Sequence, residues 1–273
     1  MVQSNKTKYW SRPFIRWAGS KRKLLPYLIY EIPKDFDRYI EPFAGSSCLF
    51  FSIKPSNAIL SDINEELMQT YEILLRHPRL LAKKVHSLDC SKDSYYKIRA
   101  MDPNQLSRLD KAVRFIFLNR YCFNGIYRTN KKGKFNVPHG TRTGGLPSEA
   151  EFYRCSYALR QARLKACDFE KSLTNISKGD FFYLDPPYVT SKKQLKGEYG
   201  PICFNINDIN RLFDMLHRID QNKGRFLLSY IKSEEIEQKI PLKWKVKTVN
   251  VNRHISGFSK HRATVEEILV KNY

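Results

Sequence analysis

The chain has 273 residues, 42% of them apolar and 13% aromatic, which is enough to bury a core as one large domain or two intimate ones. No stretch approaches the ~20 apolar residues of a membrane-spanning helix, and the start, MVQSNKTKYWSRPF, lacks the apolar centre of a secretory signal. The formal charge of +21, with no basic tail to account for it and no basic amphipathic helix to suggest a membrane surface, points to nucleic acid as the partner.

Taken in chain order, Trp17-Ala18-Gly19-Ser20-Lys21 reads as a turn feeding an apolar-periodic helix from Leu24 to Ile32, ended by Pro33. Arg38 to Pro42 reads as a strand, followed by the small-residue loop Phe43-Ala44-Gly45-Ser46-Ser47 and a helix that starts at Cys48. Ala58 to Ser61 is a second short strand with Asp62 at its end, and Asn64 to Leu75 is helical. From about Arg76 to Pro147 the alternation breaks. This block is helical at both sides, with a basic helix at Lys111 to Arg120, and irregular in the middle. The alternation then resumes: a helix from Ser148 to Leu164, strands at Lys165 to Asp168 and Phe181 to Asp185, and a helix from Asn207 to Asn222. Strands follow at Arg225 to Ser229, Trp244 to Val251 and Thr264 to Tyr273. Such alternation predicts an α/β fold with a mostly parallel sheet covered by helices on both faces. Residues 76–147 are then an insertion between 1–75 and 148–273.

Asp185-Pro186-Pro187-Tyr188 follows the hydrophobic run Phe181 to Leu184, where a buried strand gives way to a loop. Pro-Pro often simply ends a strand. The same four residues also offer a carboxylate and a fixed carbonyl that can accept both hydrogens of one amino group, beside a ring that can stack on a base. Methylation of the exocyclic amine of adenine or cytosine needs that set. The loop at Phe43 to Ser47 is either a tight strand-to-helix turn or a cradle for a nucleotide-like cofactor on a helix N-terminus. It has no G-x-G-x-x-G, and the chain has no Walker A sequence. Asp62 is placed to accept from ribose hydroxyls, to cap the helix that follows, or both. Asp168-Phe169 is a capping acid with a core ring, or an acceptor for an adenine amine with a ring packed beside it. The segment Arg120 to Arg142 interleaves bases, aromatics and glycines without one carboxylate. If it is more than a solvated loop, Lys131, Lys132 and Lys134 suit phosphates, Arg128 and Arg142 suit guanine edges, and Phe123 or Tyr127 could fill the gap left by an extruded base. The six cysteines (Cys48, Cys90, Cys122, Cys155, Cys167 and Cys203) form no C-x-x-C pair, as expected of reduced thiols in the cytosol rather than of a metal site.

Together these segments resemble the Dam-like family of DNA adenine-N6 methyltransferases, the α-order amino-methyltransferases of the D12 class, over essentially the whole chain and in the same order. Trp17 to Lys21 is similar to W-A-G-G-K, and Glu41 to Ser47 to E-P-F-x-G-x-G. Leu60 to Asn64 is similar to the acid-bearing strand end, Asn119 to Gly140 to the recognition hairpin with its R-x-N-x-x-G-x-F-N-V-P run, and Asp185 to Tyr188 to D-P-P-Y. Ser20 and Ser47 replace glycines of the family pattern, Arg16 a common lysine, and Arg142 a tyrosine frequent in members that read GATC.

The resemblance implies a Rossmann-like S-adenosylmethionine-dependent methyltransferase sheet with an inserted, mostly helical target-recognition domain. It implies transfer of a methyl group to N6 of a flipped adenine in double-stranded DNA, with GATC as a candidate target. The alternatives it leaves are a DNA cytosine-N4 or RNA adenine-N6 methyltransferase, or a catalytically silent DNA-binding relative. Cofactor contacts fall on Trp17, Lys21, Phe43, Gly45, Asp62, Asp168, Phe169 and Asp185, and catalysis on Asp185, Pro186 and Tyr188. DNA contacts fall on Arg16, Phe123, Asn124, Ile126, Arg128, Asn130, Lys131, Lys132, Lys134, Pro138 and Arg142. No metal is implied. The expected setting is a monomer in the cytoplasm, at the nucleoid of a prokaryote or with phage DNA, alone or paired with a restriction endonuclease.

Overall fold

The structure is a computed structural model that describes residues 10–130, 133–141, 143–173, 175–189, 204–254 and 262–273, with backbone alone at 251–254 and 262–265. Lys131, Lys132 and Arg142, three of the expected DNA contacts, lie outside the described residues.

A single 3-10 turn, Lys21–Lys23, leads into α1 (Leu25–Glu31), with Pro26 in the first turn, where a missing N–H costs nothing. Then come β1 (Arg38–Glu41), α2 (Cys48–Ile53), β2 (Ala58–Asp62) and α3 (Glu65–Arg76). Three helices follow without a strand: α4 (Pro78–His86), α5 (Lys92–Ala100) and α6 (Arg108–Tyr121). The alternation returns with α7 (Glu149–Leu159), β3 (Ala162–Ala166), β4 (Asp180–Leu184), α8 (Ile206–Gln221) and β5 (Arg225–Ile231). The chain closes with a short α9 (Glu234–Glu237), β6 (Lys245–His254) and β7 (Arg262–Lys271).

The seven strands form one sheet in the order β3-β2-β1-β4-β5-β7-β6. The first five are parallel, and β7 enters antiparallel between β5 and β6. This is the expected Rossmann-like α/β sheet. Strand alternation divides the core into two layers. Tyr39, Phe181, Tyr183, Leu227 and Leu269 face one layer, with the apolar sides of α1, α2, α3, α4, α6 and α7. Ile40, Phe182, Leu184, Leu228 and Val270 face the other, filled chiefly by Leu212, Phe213, Leu216 and Ile219 of α8. Helices therefore cover both faces, very unequally. A third, smaller cluster joins Tyr95 and Ile98 of α5, Phe117, Leu118 and Tyr121 of α6, and Phe135 and Val137 of the following loop.

The strand order reverses between β1 and β4, since β1 leads through α2 to β2 on one side and β4 leads through α8 to β5 on the other. At such a switch point the loops part and leave a crevice at the carboxyl ends of the strands.

Two local expectations are corrected. The helix expected over Ser148 to Leu164 stops at Leu159, where the amides of Arg160 and Gln161 turn back on Tyr157 and Ala158, and Ala162–Ala166 is a strand. As an edge strand with one paired side it keeps Arg163 and Lys165, and that charge continues the look of a polar helix face. The cap of α3 is not Asp62 but Asn64, whose side chain accepts from the Leu67 amide at 3.0 Å.

Candidate active site

The crevice at the switch point forms a pocket. It is lined by the ends of four parallel strands: Glu41 to Leu49 after β1, Asp62 to Asn64 after β2, Asp168 and Phe169 after β3, and Asp185 to Tyr188 after β4. Trp17 to Lys21 close it from the side of α1. All the residues expected to touch the cofactor, and Asp185, Pro186 and Tyr188 as well, thus face one cavity although they come from five separate stretches of sequence.

Gly45 and Ser47 hold the first loop in a left-handed turn, at φ of 45° and 46°. A Cβ on Gly45 would lie 2.8 Å from the Trp17 indole, so only glycine lets this backbone reach the pocket wall. Ser47 tolerates the same conformation at some strain, which is the physical reason the family pattern carries glycine there. Asp62 ties this loop to the next strand. One oxygen accepts from the Gly45 amide and the other from the Asn64 amide, both at 2.9 Å. Burial pushes its carboxyl above the ordinary aspartate range against the pull of those N–H groups. Each oxygen keeps lone pairs for a further donor.

Asp185 is only 20% exposed and sits in a polar network under the pocket. The Lys21 ammonium, 4% exposed, lies 2.7 Å from its Oδ1 and 3.4 Å from Glu267 Oε2. Lys21 also donates to the Tyr188 hydroxyl and lies 4.7 Å from that ring's centroid. The Ser229 hydroxyl donates to Asp185 Oδ1 at 3.2 Å and exchanges a hydrogen bond with Tyr183. The loop beyond is braced by Tyr230, whose hydroxyl accepts from the Val189 amide at 2.8 Å and whose ring meets Tyr188 edge-on at 5.0 Å. Close by, Glu41 is buried and accepts from the Tyr39 hydroxyl at 2.9 Å. Burial raises its carboxyl well above the glutamate range, and the charges of Asp185 and Asp62 add to the rise. Asp168 caps the short turn Phe169–Ser172 and is held by Arg211 of α8 at 2.6 Å. Arg211 also pairs with Glu170 and Asp208 and lies 4.7 Å above the Phe169 ring, which stacks on Phe43 at 5.1 Å.

Sequence reading missed Glu41, Tyr183, Arg211, Ser229, Tyr230 and Glu267. Glu41 stood inside a quoted motif, so its spacing could have flagged it. Glu267 gave no local signal: it reaches Lys21 only because the last strand inserts antiparallel between β5 and β6.

The expected DNA contacts lie elsewhere, on a two-armed loop after α6. Its arms are joined by isolated bridges at Cys122 with His139 and Thr129 with Phe135, and its tip turns at Asn130, whose side chain accepts from the Lys134 amide. Phe123, Asn124, Asn130, Lys134 and Pro138 are exposed, while Ile126 and Arg128 are half-buried. Arg128 donates across the arms to Asn136 at 3.0 Å. Arg16 sits at the root of the loop, exchanges backbone hydrogen bonds with the Asn119 side chain, and gives its guanidinium to the Arg120 and Thr143 carbonyls. Of the two aromatics that could enter a duplex, Phe123 is 40% exposed. Tyr127 is turned inward against Trp17 and Phe115, because its ring finds an apolar slot there and its hydroxyl an acceptor, and so it is not poised to enter DNA.

Comparison with known proteins agrees with this architecture. The family model of the D12 class N6 adenine-specific DNA methyltransferases matches residues 17–255. The type II methyltransferase M1.LlaDCHI of Lactococcus lactis is 31% identical over 283 residues, covering 100% of this chain and 99% of its own. The type II methyltransferase M.MjaIII of Methanocaldococcus jannaschii is 30% identical over 286 residues, with 96% and 99% covered. A DNA adenine methylase of Haemophilus influenzae is 28% identical over 277 residues, with 98% and 96% covered. With a family model spanning most of its length and full-length relatives on either side of 30% identity, the chain belongs to the D12 class of N6 adenine-specific DNA methyltransferases.

Proposed function

We propose that the protein moves a methyl group from S-adenosylmethionine to N6 of an adenine flipped out of double-stranded DNA, at a short specific sequence of which GATC is the first to test. The observation that carries this reading is the convergence of four strand ends on one pocket with Asp185 pinned at its floor. The residues present suit the methyl donor. Gly45 lets backbone approach it, Asp62 offers acceptors to ribose hydroxyls, and Phe43 and Phe169 offer ring faces to adenine. Trp17, Lys21 and Asp168 complete that wall. S-adenosylmethionine, when bound, supplies a methyl group on a sulfonium, already activated for displacement.

The chain's own work is to make a poor nucleophile competent. The adenine amine is flat because its lone pair is delocalised into the ring. An Asp185 oxygen and the Pro186 carbonyl accept its two hydrogens, which favours a pyramidal nitrogen and frees the lone pair. Lys21 and Ser229 hold the Asp185 carboxylate in one orientation, so the acceptor is in place before the base arrives. As N6 gains positive charge, fixed acceptors stabilise it with little reorganisation, and alignment supplies the rest of the rate. Tyr188, braced by Tyr230, offers its ring to the flipped base. Residues 76–147 are proposed to read the target, with Arg128, Arg142, Ile126 and Pro138 at base edges, Phe123 beside the vacated base, and Arg16, Asn124, Asn130, Lys131, Lys132 and Lys134 along the strands. The protein acts on DNA as a monomer, whether alone or beside a restriction endonuclease.

The test is to incubate the protein with unmethylated duplex DNA and S-adenosylmethionine labelled in its methyl group, then digest the DNA to nucleosides. N6-methyl-2′-deoxyadenosine carrying the label is expected. Label on cytosine N4, or label on RNA and none on DNA when RNA is offered alongside, would overturn the assignment.

A further inference from the structure

Tyr127 lies between Ile126 and Arg128, two positions proposed above to read bases, yet its own side chain points into the protein. Its ring stacks on Trp17 at 6.0 Å and 18°, and lies 5.2 Å from Phe115 of α6 and 5.6 Å from Phe135 on the opposite arm of the loop. Its hydroxyl donates to Glu66 Oε2 in the first turn of α3. The other oxygen of Glu66 lies 3.6 Å from the Arg114 guanidinium, which is 4% exposed and donates to the Ile98 and Arg99 carbonyls at 3.1 and 3.0 Å. Trp17 in turn lies against Gly45, the glycine that no other residue could replace there. One side chain thus touches the pocket turn, α3, α6 and both arms of the loop.

We propose that Tyr127 is a specificity-determining positioning residue: it fixes the height and register of the Ile126–Arg128 segment relative to the methyl-transfer pocket. A base-reading side chain discriminates only if its root is held to a fraction of an ångström while the target base sits in the pocket. The flanking Ile126 and Arg128 are half-buried, Ile126 against the small cluster and Arg128 reaching Asn136 on the opposite arm, so the placement of Tyr127 bears on both. The stack on Trp17 sets the distance from the loop to the pocket, and the bond to Glu66 sets rotation about that contact. The other oxygen of Glu66 is in ion-pair contact with Arg114, which adds to the hold on this end of α3. Burial and the Glu66 charge both raise the Tyr127 phenol, which keeps it a donor throughout the working range.

The inference rests on the loop reading DNA, as proposed above, and the experiment separates the two. Plasmid DNA is methylated by the full chain at saturating S-adenosylmethionine, and methylated adenines are mapped by sequencing. The wild-type protein should mark one short motif; random marking or none would count against the proposed function itself. Given a motif, Tyr127→Phe should lower the preference for it over sites differing at one base pair by about tenfold, within the range of a single mismatch. Its melting temperature should change little. Glu66→Gln, which keeps an acceptor at a partly exposed position, should lower the preference less and provides the test if the first variant folds poorly. Unchanged preference in both variants, or a loss of methylation shared equally by the motif and its near neighbours, would overturn the assignment.

Discussion

The pocket at the switch point and the two-armed loop obey different physics. The pocket is built on strand ends locked between two large cores, and its polar groups are tied to one another at 2.7–3.4 Å. Among its described residues the loop has two isolated bridges and a small core of its own, and shows most of the expected contacts to solvent. The difference suits the division of labour proposed here: reacting atoms need positions fixed in advance, whereas the reading of sequence is carried by side chains on a scaffolded loop. In the proposal above, Tyr127 ties the loop to the wall of the pocket through Trp17.

The contrast can be broken first at the pocket floor. Asp185→Ala should lower methyl transfer by at least ~10²–10³-fold, the usual effect of losing one preorganised electrostatic group. DNA affinity, measured by anisotropy at fixed salt, should stay within a few-fold; a variant that binds poorly yet turns over normally would reverse the roles given to the two regions.

Core truncations sharpen the same point. Phe50 is fully buried in α2, behind the loop from Phe43 to Ser47, so Phe50→Ala should cost about 3–5 kcal/mol in denaturant unfolding. Phe135 is 8% exposed in the small cluster under the loop, and Phe135→Ala should cost less stability while degrading sequence preference. Equal stability losses would mean that the loop is as firmly built as the sheet. Arg128→Ala should lose about 1–3 kcal/mol of discrimination at one base pair. A uniform loss over all sequences would make Arg128 a phosphate contact.

The smallest effect is one of sign. Burial raises Glu41 above its unfolded value, so the folded protein favours its protonated form. The stability it contributes is fully present below the unfolded glutamate value of about 4.3 and is lost as pH rises toward the folded one. Glu41→Gln imitates the protonated acid at every pH. Its melting temperature should therefore gain on the wild type as pH rises from 4 to 8, and a gap that narrows instead would contradict the burial argument.

Much of the pocket was legible because its residues come in short motifs at strand ends, where chain order and topology coincide. Asp62 and Asp185 needed only a hydrophobic run and the residue that follows it. The helix expected through Leu164 failed because an edge strand bearing Arg163 and Lys165 has no apolar alternation strong enough to interrupt a helical pattern. The cap reading of Asp62 fell two residues short because Asp62 and Asn64 are equally good caps in sequence; Asn64 takes the Leu67 amide, while Asp62 is engaged by the Gly45 and Asn64 amides. Glu267 and Arg211 were invisible because their partners are distant in the chain. Tyr127 looked like a surface aromatic because nothing local distinguishes a ring that faces DNA from one that faces Trp17.

The central claim is geometric: an extruded adenine is gripped by Asp185 and Pro186 beside the methyl donor. Its most direct test is a crystal structure of the protein with duplex DNA and an analogue of S-adenosylmethionine that lacks a transferable methyl group. The account predicts an adenine outside the duplex, with N6 about 2.7–3.2 Å from an Asp185 oxygen and from the Pro186 carbonyl. An adenine that stays stacked in the duplex, or an extruded base whose N6 points away from Asp185, would contradict it.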